Sequence, residues 1–195
     1  MTINCLLCGV GGQGTVLASR VIAEAAMQKG EKARTAETIG MAQRGGCVVS
    51  HVRIGECFSP LVPPASADLI IAFEPGEAVR CLAYLKDGGA VIACTTPVVP
   101  VMASIGKADY DEKKYVRILQ EKVGNLVLVS AKDVSSACGS AKALNVYLLG
   151  AAIGSGKLPL TEGDIEKVLE KRVKPEFINM NRLALKAGIK AATEA

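Results

Sequence analysis

Cys5-Leu6-Leu7-Cys8-Gly9-Val10-Gly11-Gly12-Gln13-Gly14 is the stretch on which the reading of this chain turns. A short apolar run feeds a burst of glycines, and a helical pattern follows at once. Gly9, Gly11 and Gly14 have G-x-G-x-x-G spacing, with an extra glycine at Gly12. Such a strand-to-helix loop is built for an anion. Gly9 is expected to take a tight turn, Gly11 to let backbone N–H groups approach a phosphate, and Gly14 to let the helix pack near the strand. The helix N-terminus, starting at Thr15, adds partial positive charge. The competing reading is that these glycines make a tight turn and nothing more.

Outward from that loop the chain alternates strands with helices. Ile3–Cys8 reads as the first strand, and Gly14 to about Gln28 as the first helix, with Leu17, Val21 and Ala25 on its apolar stripe. Gly30 closes that helix. Lys32–Thr38 reads as a second strand carrying Glu37, an acid placed to hold a ribose hydroxyl. A second glycine-rich connection, Glu37 to Gly46, holds Gln43, Arg44, Gly45 and Gly46. Backbone freedom beside a forked cation suits a phosphate or carboxylate, although Arg44 also reads as an ordinary surface arginine. Cys47–Ile54 alternates as a strand, with Val48, Ser50, Val52 and Ile54 on one face and Val49, His51 and Arg53 on the other. His51 is the single histidine; it is expected at a surface or interface, since nothing supplies it with a triad. The loop from Cys57 to Ala67 is proline-rich. Leu69–Phe73 follows as a buried strand, then a helix from Pro75 to about Leu85, a turn at Asp87-Gly88-Gly89 and a strand at Ala90–Cys94. Helix Glu112–Val123 and strand Leu126–Ser130 come next. A long helix over Asp133 to about Ile153, with a break near Cys138-Gly139, and helices over Glu162–Lys171 and Pro175–Ala192 complete the chain. Asn145 falls among core candidates, as a cap, an internal bridge or a group facing a site. Asn181 is expected to make a structural hydrogen bond.

This order predicts an α/β fold: a single Rossmann-like domain over residues 1–195, a mostly parallel sheet flanked by helices, and a helical C-terminal region. Ligands of such sheets bind beyond the carboxyl ends of the strands. The glycine loop and the Met41–Gly46 connection should therefore face each other across one crevice.

Composition narrows the class. The chain has 195 residues, half of them hydrophobic, and a net charge of +4. It has no tryptophan, three phenylalanines and four tyrosines, and no long Lys/Arg block, so a stacking nucleic-acid surface is not expected. No apolar run reaches membrane-span length, no basic region precedes the first apolar run, and a cytoplasmic protein is expected. The seven cysteines are scattered; Cys5 and Cys8, three apart on a strand, point to opposite faces and do not share a metal. No metal site is expected.

Together, Gly9–Gly14, Gly40–Gly46, Val49–Arg53, Phe73-Glu74-Pro75 and the Asn145–Gly150 stretch resemble the gamma-type domain of 2-oxoacid:ferredoxin oxidoreductases, most of all the small subunit of the indolepyruvate type. The resemblance covers nearly the whole chain. It implies oxidative decarboxylation of a 2-oxoacid to an acyl-CoA with ferredoxin as electron acceptor. This chain lacks both a ferredoxin cysteine run and a Gly-Asp-Gly motif for a diphosphate and Mg²⁺. Thiamine diphosphate, Mg²⁺ and the iron–sulfur clusters are thus assigned to a larger partner subunit. Coenzyme A is the substrate assigned to this chain, with Gly9, Gly11, Gly12, Gln13, Gly14, Thr15, Gln43, Arg44, Gly45 and Gly46 lining its site and no catalytic residue. In isolation the chain is expected to be inactive and able to dimerise through surfaces meant for its partner. Two rivals stand beside this reading: an NAD-binding dehydrogenase using Gly9, Gly11 and Gly14 for the pyrophosphate and Glu37 for the ribose, and a non-enzymatic assembly module docking through the Pro60–Pro64 loop and the His51/Arg53 face.

Overall fold

The computed structural model describes residues 2–39, 46–99 and 109–194. Six strands form one sheet: β1 (Ile3–Val10), β2 (Ala33–Ile39), β3 (Cys47–Ile54), β4 (Ala67–Ala72), β5 (Leu85–Cys94) and β6 (Asn125–Val129), in the order β2-β3-β1-β4-β5-β6. β1, β4, β5 and β6 run parallel to one another. β3 is antiparallel to both β1 and β2, so it alone among the described strands runs against the rest. The residue patterns account for the difference. β4 is buried at every position, as a parallel strand covered on both faces must be. β3 carries the alternation typical of antiparallel pairing, with Val48, Ser50, Val52 and Ile54 buried on one face.

Seven helices are described: α1 (Thr15–Gln28), α2 (Pro75–Cys81), α3 (Glu112–Lys122), α4 (Ala131–Cys138), α5 (Leu144–Gly154), α6 (Glu162–Arg172) and α7 (Pro175–Thr193). Helices α1 and α4–α7 contribute to the core on one face of the sheet, and α2 and α3 to that on the other. Cys5 falls in the first core and Cys8 in the second, as strand alternation requires. Gly30, at φ 85°, ends α1: its N–H bonds Met27 O and the Glu31 N–H bonds Ala26 O, a Schellman closure.

Several expected boundaries move. β2 runs one residue past the expected Thr38, to Ile39, with Glu37 and Thr38 on the strand as expected, opposite Ser50 and Val49. α2 ends at Cys81, followed by one 3₁₀ turn. Asp87-Gly88-Gly89 is absorbed into β5, where the pairing slips between Ala67 and Leu69. The expected break near Cys138-Gly139 is present, with Gly139 at φ 81° separating α4 from α5.

The tightest packing is where α5 crosses α7. A Cβ on Gly188 would lie 2.0 Å from Tyr147 O, and one on Gly150 2.1 Å from Leu185 O. Backbone meets backbone there, and glycine is the residue without a Cβ to prevent it. Asn181 is buried on the same helix and donates from Nδ2 to Phe177 O at 2.7 Å, the structural bond expected of it.

His51, expected at a surface or interface, is buried within the chain. It is 5% exposed, accepts the Val62 N–H on Nδ1 at 3.1 Å and meets the Tyr84 ring edge-on at 6.0 Å. The proline-rich loop folds over it, because Val62 buries its side chain in the second core. Burial holds the imidazole below its ordinary pKa. The folded state thus binds this proton less readily than the unfolded chain, so stability falls as the pH drops below about 6.5. His51→Gln should flatten that part of the pH–stability curve; an unchanged acid limb in denaturant melts would exclude His51 as its source.

Candidate ligand site at the carboxyl edge of the sheet

The crevice lies between β1 and β4. α1 leaves β1 for one face and α2 leaves β4 for the other, which makes this the point where the winding of the sheet reverses. The glycine loop sits at this point. Gly9 is not a turn residue but the penultimate position of β1. It is glycine because a Cβ would come within 2.8 Å of both Phe73 Cβ and Gln13 Oε1. The turn belongs to Gly12, at φ 101°, and to Gly14, at φ 85°. The Gly14 backbone also runs under Asn145, whose Nδ2 lies 3.0 Å from where a Cβ would stand.

Gln13 braces the loop. Its Oε1 accepts the Val10 N–H at 2.7 Å, and its Nε2 donates to Phe73 O at 2.8 Å, tying β1 to the end of β4. The Gly11 N–H donates to Gly46 O at 2.9 Å. That bond extends the β1–β3 ladder and ties the glycine loop to Gly46, the one described residue of the Met41–Gly46 stretch, so the two meet side by side on the β3 flank of β1. Gln43, Arg44 and Gly45 lie outside the described residues. With the Val10 and Gly11 N–H groups committed internally, anion-binding capacity concentrates at the start of α1. The first intrahelical bond there is from Ala18 N–H to Gly14 O, so the Thr15, Val16 and Leu17 N–H groups have no place in the helix ladder. The Thr15 hydroxyl is buried without a hydrogen-bond partner.

Glu37, the acid considered for a ribose, instead faces Arg20 of α1 at 3.4 Å.

Across the crevice, Glu74 is 1% exposed and caps α2, accepting the Glu77 N–H at 2.8 Å. Tyr110 donates to its other oxygen. In the sequence this acid stands in the Phe73-Glu74-Pro75 stretch, directly before the expected helix start at Pro75. A second group was not legible: Cys8, Cys47 and Cys81 gather around Glu77 from β1, β3 and α2. Glu77 Oε1 meets Arg80 at 2.5 Å, and Oε2 is buried without a partner. The Cys8 thiol is held well above its ordinary range by the neighbouring Cys81 and by burial, while Cys81 is lowered through the same pairing. Burial and the Glu77 carboxylate push Cys47 up to about 12. Cys8 and Cys47 are therefore neutral and poor nucleophiles at neutral pH. Among the described residues no group of three or more His, Cys, Asp or Glu is arranged to hold a metal ion, and no helix is long and apolar enough to cross a membrane.

The sequence profile described as pyruvate ferredoxin/flavodoxin oxidoreductase matches residues 4–191. The chain is 39% identical to the indolepyruvate oxidoreductase subunit IorB of Thermococcus kodakarensis, over 98% of this chain and 96% of that one. Among solved structures it is similar to the keto/oxoacid ferredoxin oxidoreductase gamma subunit of Geobacter sulfurreducens, at 25% identity, TM-score 0.68 and 99% coverage of both chains. It also matches the fold of 31% of the 2-oxoglutarate:ferredoxin oxidoreductase chain of Magnetococcus marinus, at 18% identity and TM-score 0.72, in a structure with 2-oxoglutarate, coenzyme A and succinyl-CoA bound.

Proposed function

The chain belongs to the pyruvate ferredoxin/flavodoxin oxidoreductase family, and from that premise we propose that it is the gamma-type small subunit of a complex that oxidatively decarboxylates indolepyruvate or another aryl pyruvate to its acyl-CoA. Ferredoxin is the electron acceptor in this reading. The complex acts in the cytoplasm. Thiamine diphosphate with Mg²⁺ supplies the decarboxylation chemistry, and iron–sulfur clusters carry the electrons, all in a larger partner subunit. This chain contributes a coenzyme A site and no catalytic group, and by itself it is inactive.

The observation that carries the site is the Gly11–Gly46 hydrogen bond. It ties the glycine loop, next to the start of α1, to Gly46, the described end of the second glycine-rich stretch, and supports a shared site for the two. In this reading the Thr15, Val16 and Leu17 N–H groups and the Arg44 guanidinium hold phosphate oxygens of coenzyme A. Gln13 keeps the loop at its working distance from β4, and Gly12, Gly14, Gln43 and Gly45 give the backbone its reach.

Co-expression of this chain with its larger subunit under anaerobic conditions tests the reading, with 2-oxoacid- and CoA-dependent dye reduction as the assay. Turnover that requires this chain, fastest on aryl pyruvates, is the expected result; turnover independent of it would sink the proposal. Within that complex, Arg44→Ala should raise the KM for CoA about 10- to 100-fold and leave assembly intact, since a hydrogen bond to a charged group contributes about 1.5–3 kcal/mol. An unchanged KM for CoA would remove Arg44 from the site.

A further inference from the structure

A cavity of about 230 Å³ opens between α1, α5, α6 and α7. Its size suits one ring system rather than an extended ligand. Leu149 and Leu169 line the interior, with Phe177 and Met180 beside them. An aromatic ring and a thioether both favour contact with another ring. Three polar side chains also reach the lining: Lys142, Asn145 and Asn181. The Asn181 amide is committed to Phe177 O. Lys142 is exposed and forms no ion pair among the described residues. Asn145 spends Oδ1 on the Val146 N–H and turns Nδ2 to Gly14. The available polar groups are thus a cation and an amide donor, beside the positive end of α1, and no carboxylate lines the cavity.

An apolar interior with a cationic, donor-bearing wall fits an amphipathic anion. We propose that this cavity binds an aryl carboxylate, with its ring between Leu149, Leu169, Phe177 and Met180 and its carboxylate on Lys142 and Asn145. The choice of an aromatic body rests on the substrate reading above; the choice of an anion rests on the cavity alone. The site is distinct from the coenzyme A site at the glycine loop and shares one wall with it, through Asn145.

Calorimetric titration of the full chain with indole-3-acetate, 3-methylindole and acetate tests the proposal. Indole-3-acetate should bind saturably, 3-methylindole about tenfold more weakly for want of its charged head, and acetate not at all. Lys142→Met should weaken indole-3-acetate about tenfold and leave 3-methylindole unchanged. Phe177→Ala should weaken both indoles. Lys142 and Phe177 are exposed enough for both variants to fold, and thermal melts confirm it. No saturable binding of indole-3-acetate, or binding indifferent to Lys142→Met, overturns the proposal. These titrations need neither coenzyme A nor the partner subunit, so their failure is distinguishable from failure of the complex to assemble or turn over.

Discussion

Gly188→Ala should destabilise the chain by about 3 kcal/mol or more, the upper end for overpacking a close-packed interior, and lower its melting temperature by roughly 6–12 °C. Two effects oppose each other. In an exposed helix the same change would stabilise by about 1 kcal/mol, through the better helix propensity of alanine. Here the new methyl would stand 2.0 Å from Tyr147 O and 2.9 Å from Ala151 N. Neither atom is the tip of a flexible side chain, so α7 must move off α5 as a whole. The clash outweighs the propensity gain. Gly124→Ala is the matched control: a Cβ there meets nothing within 4 Å, and the change should stay within about 0.5 kcal/mol. Equal melting temperatures for the two variants would show that the α5–α7 crossing is looser than described.

Gln13→Ala should cost about 2–4 kcal/mol, because it strands two buried backbone groups at once. The Val10 N–H loses its acceptor and Phe73 O loses its donor, at residues 7% and 0% exposed. Gln13→Glu separates the two contributions. A carboxylate still accepts from Val10 but places negative charge against the Phe73 carbonyl, so this variant should be destabilised as well. On the proposal that coenzyme A binds at this loop, either change should also raise the KM for CoA in the assembled complex, since the brace fixes the distance between the glycine loop and β4. If Gln13→Ala unfolds at the wild-type denaturant midpoint, the amide does not brace the crevice.

Gln13 also marks how far the sequence could be read. The glycine spacing located the loop, and the alternation from Cys47 to Ile54 gave β3 to the residue. Local pattern sufficed there because period and turn chemistry are properties of neighbours in the chain. What it missed depends on distant partners. Gly9 is required by Phe73, 64 residues on and across a parallel pair. The alternation of β3 marked it as a strand, but neither its reversed direction nor the strands it joins was read from it. His51 was expected at a surface or interface because it shares a strand face with the charged Arg53; Val62 closes over it from the proline loop. Glu77 and its three cysteines come from three elements, and no spacing rule links positions 8, 47, 77 and 81.

The backbone contact between α5 and α7 sets an order on how the chain can be made. α7 is made after α5, and Gly188 lies near its end. Until it emerges, α5 presents Gly150 and Gly154 with no backbone to receive, and an almost wholly apolar helix stays uncovered on the sheet. β1, β3 and β4 can assemble during synthesis, since all three are complete by residue 72. The nascent chain therefore passes through a half-covered intermediate that lasts until α7 is made, and chaperone binding should concentrate on that window.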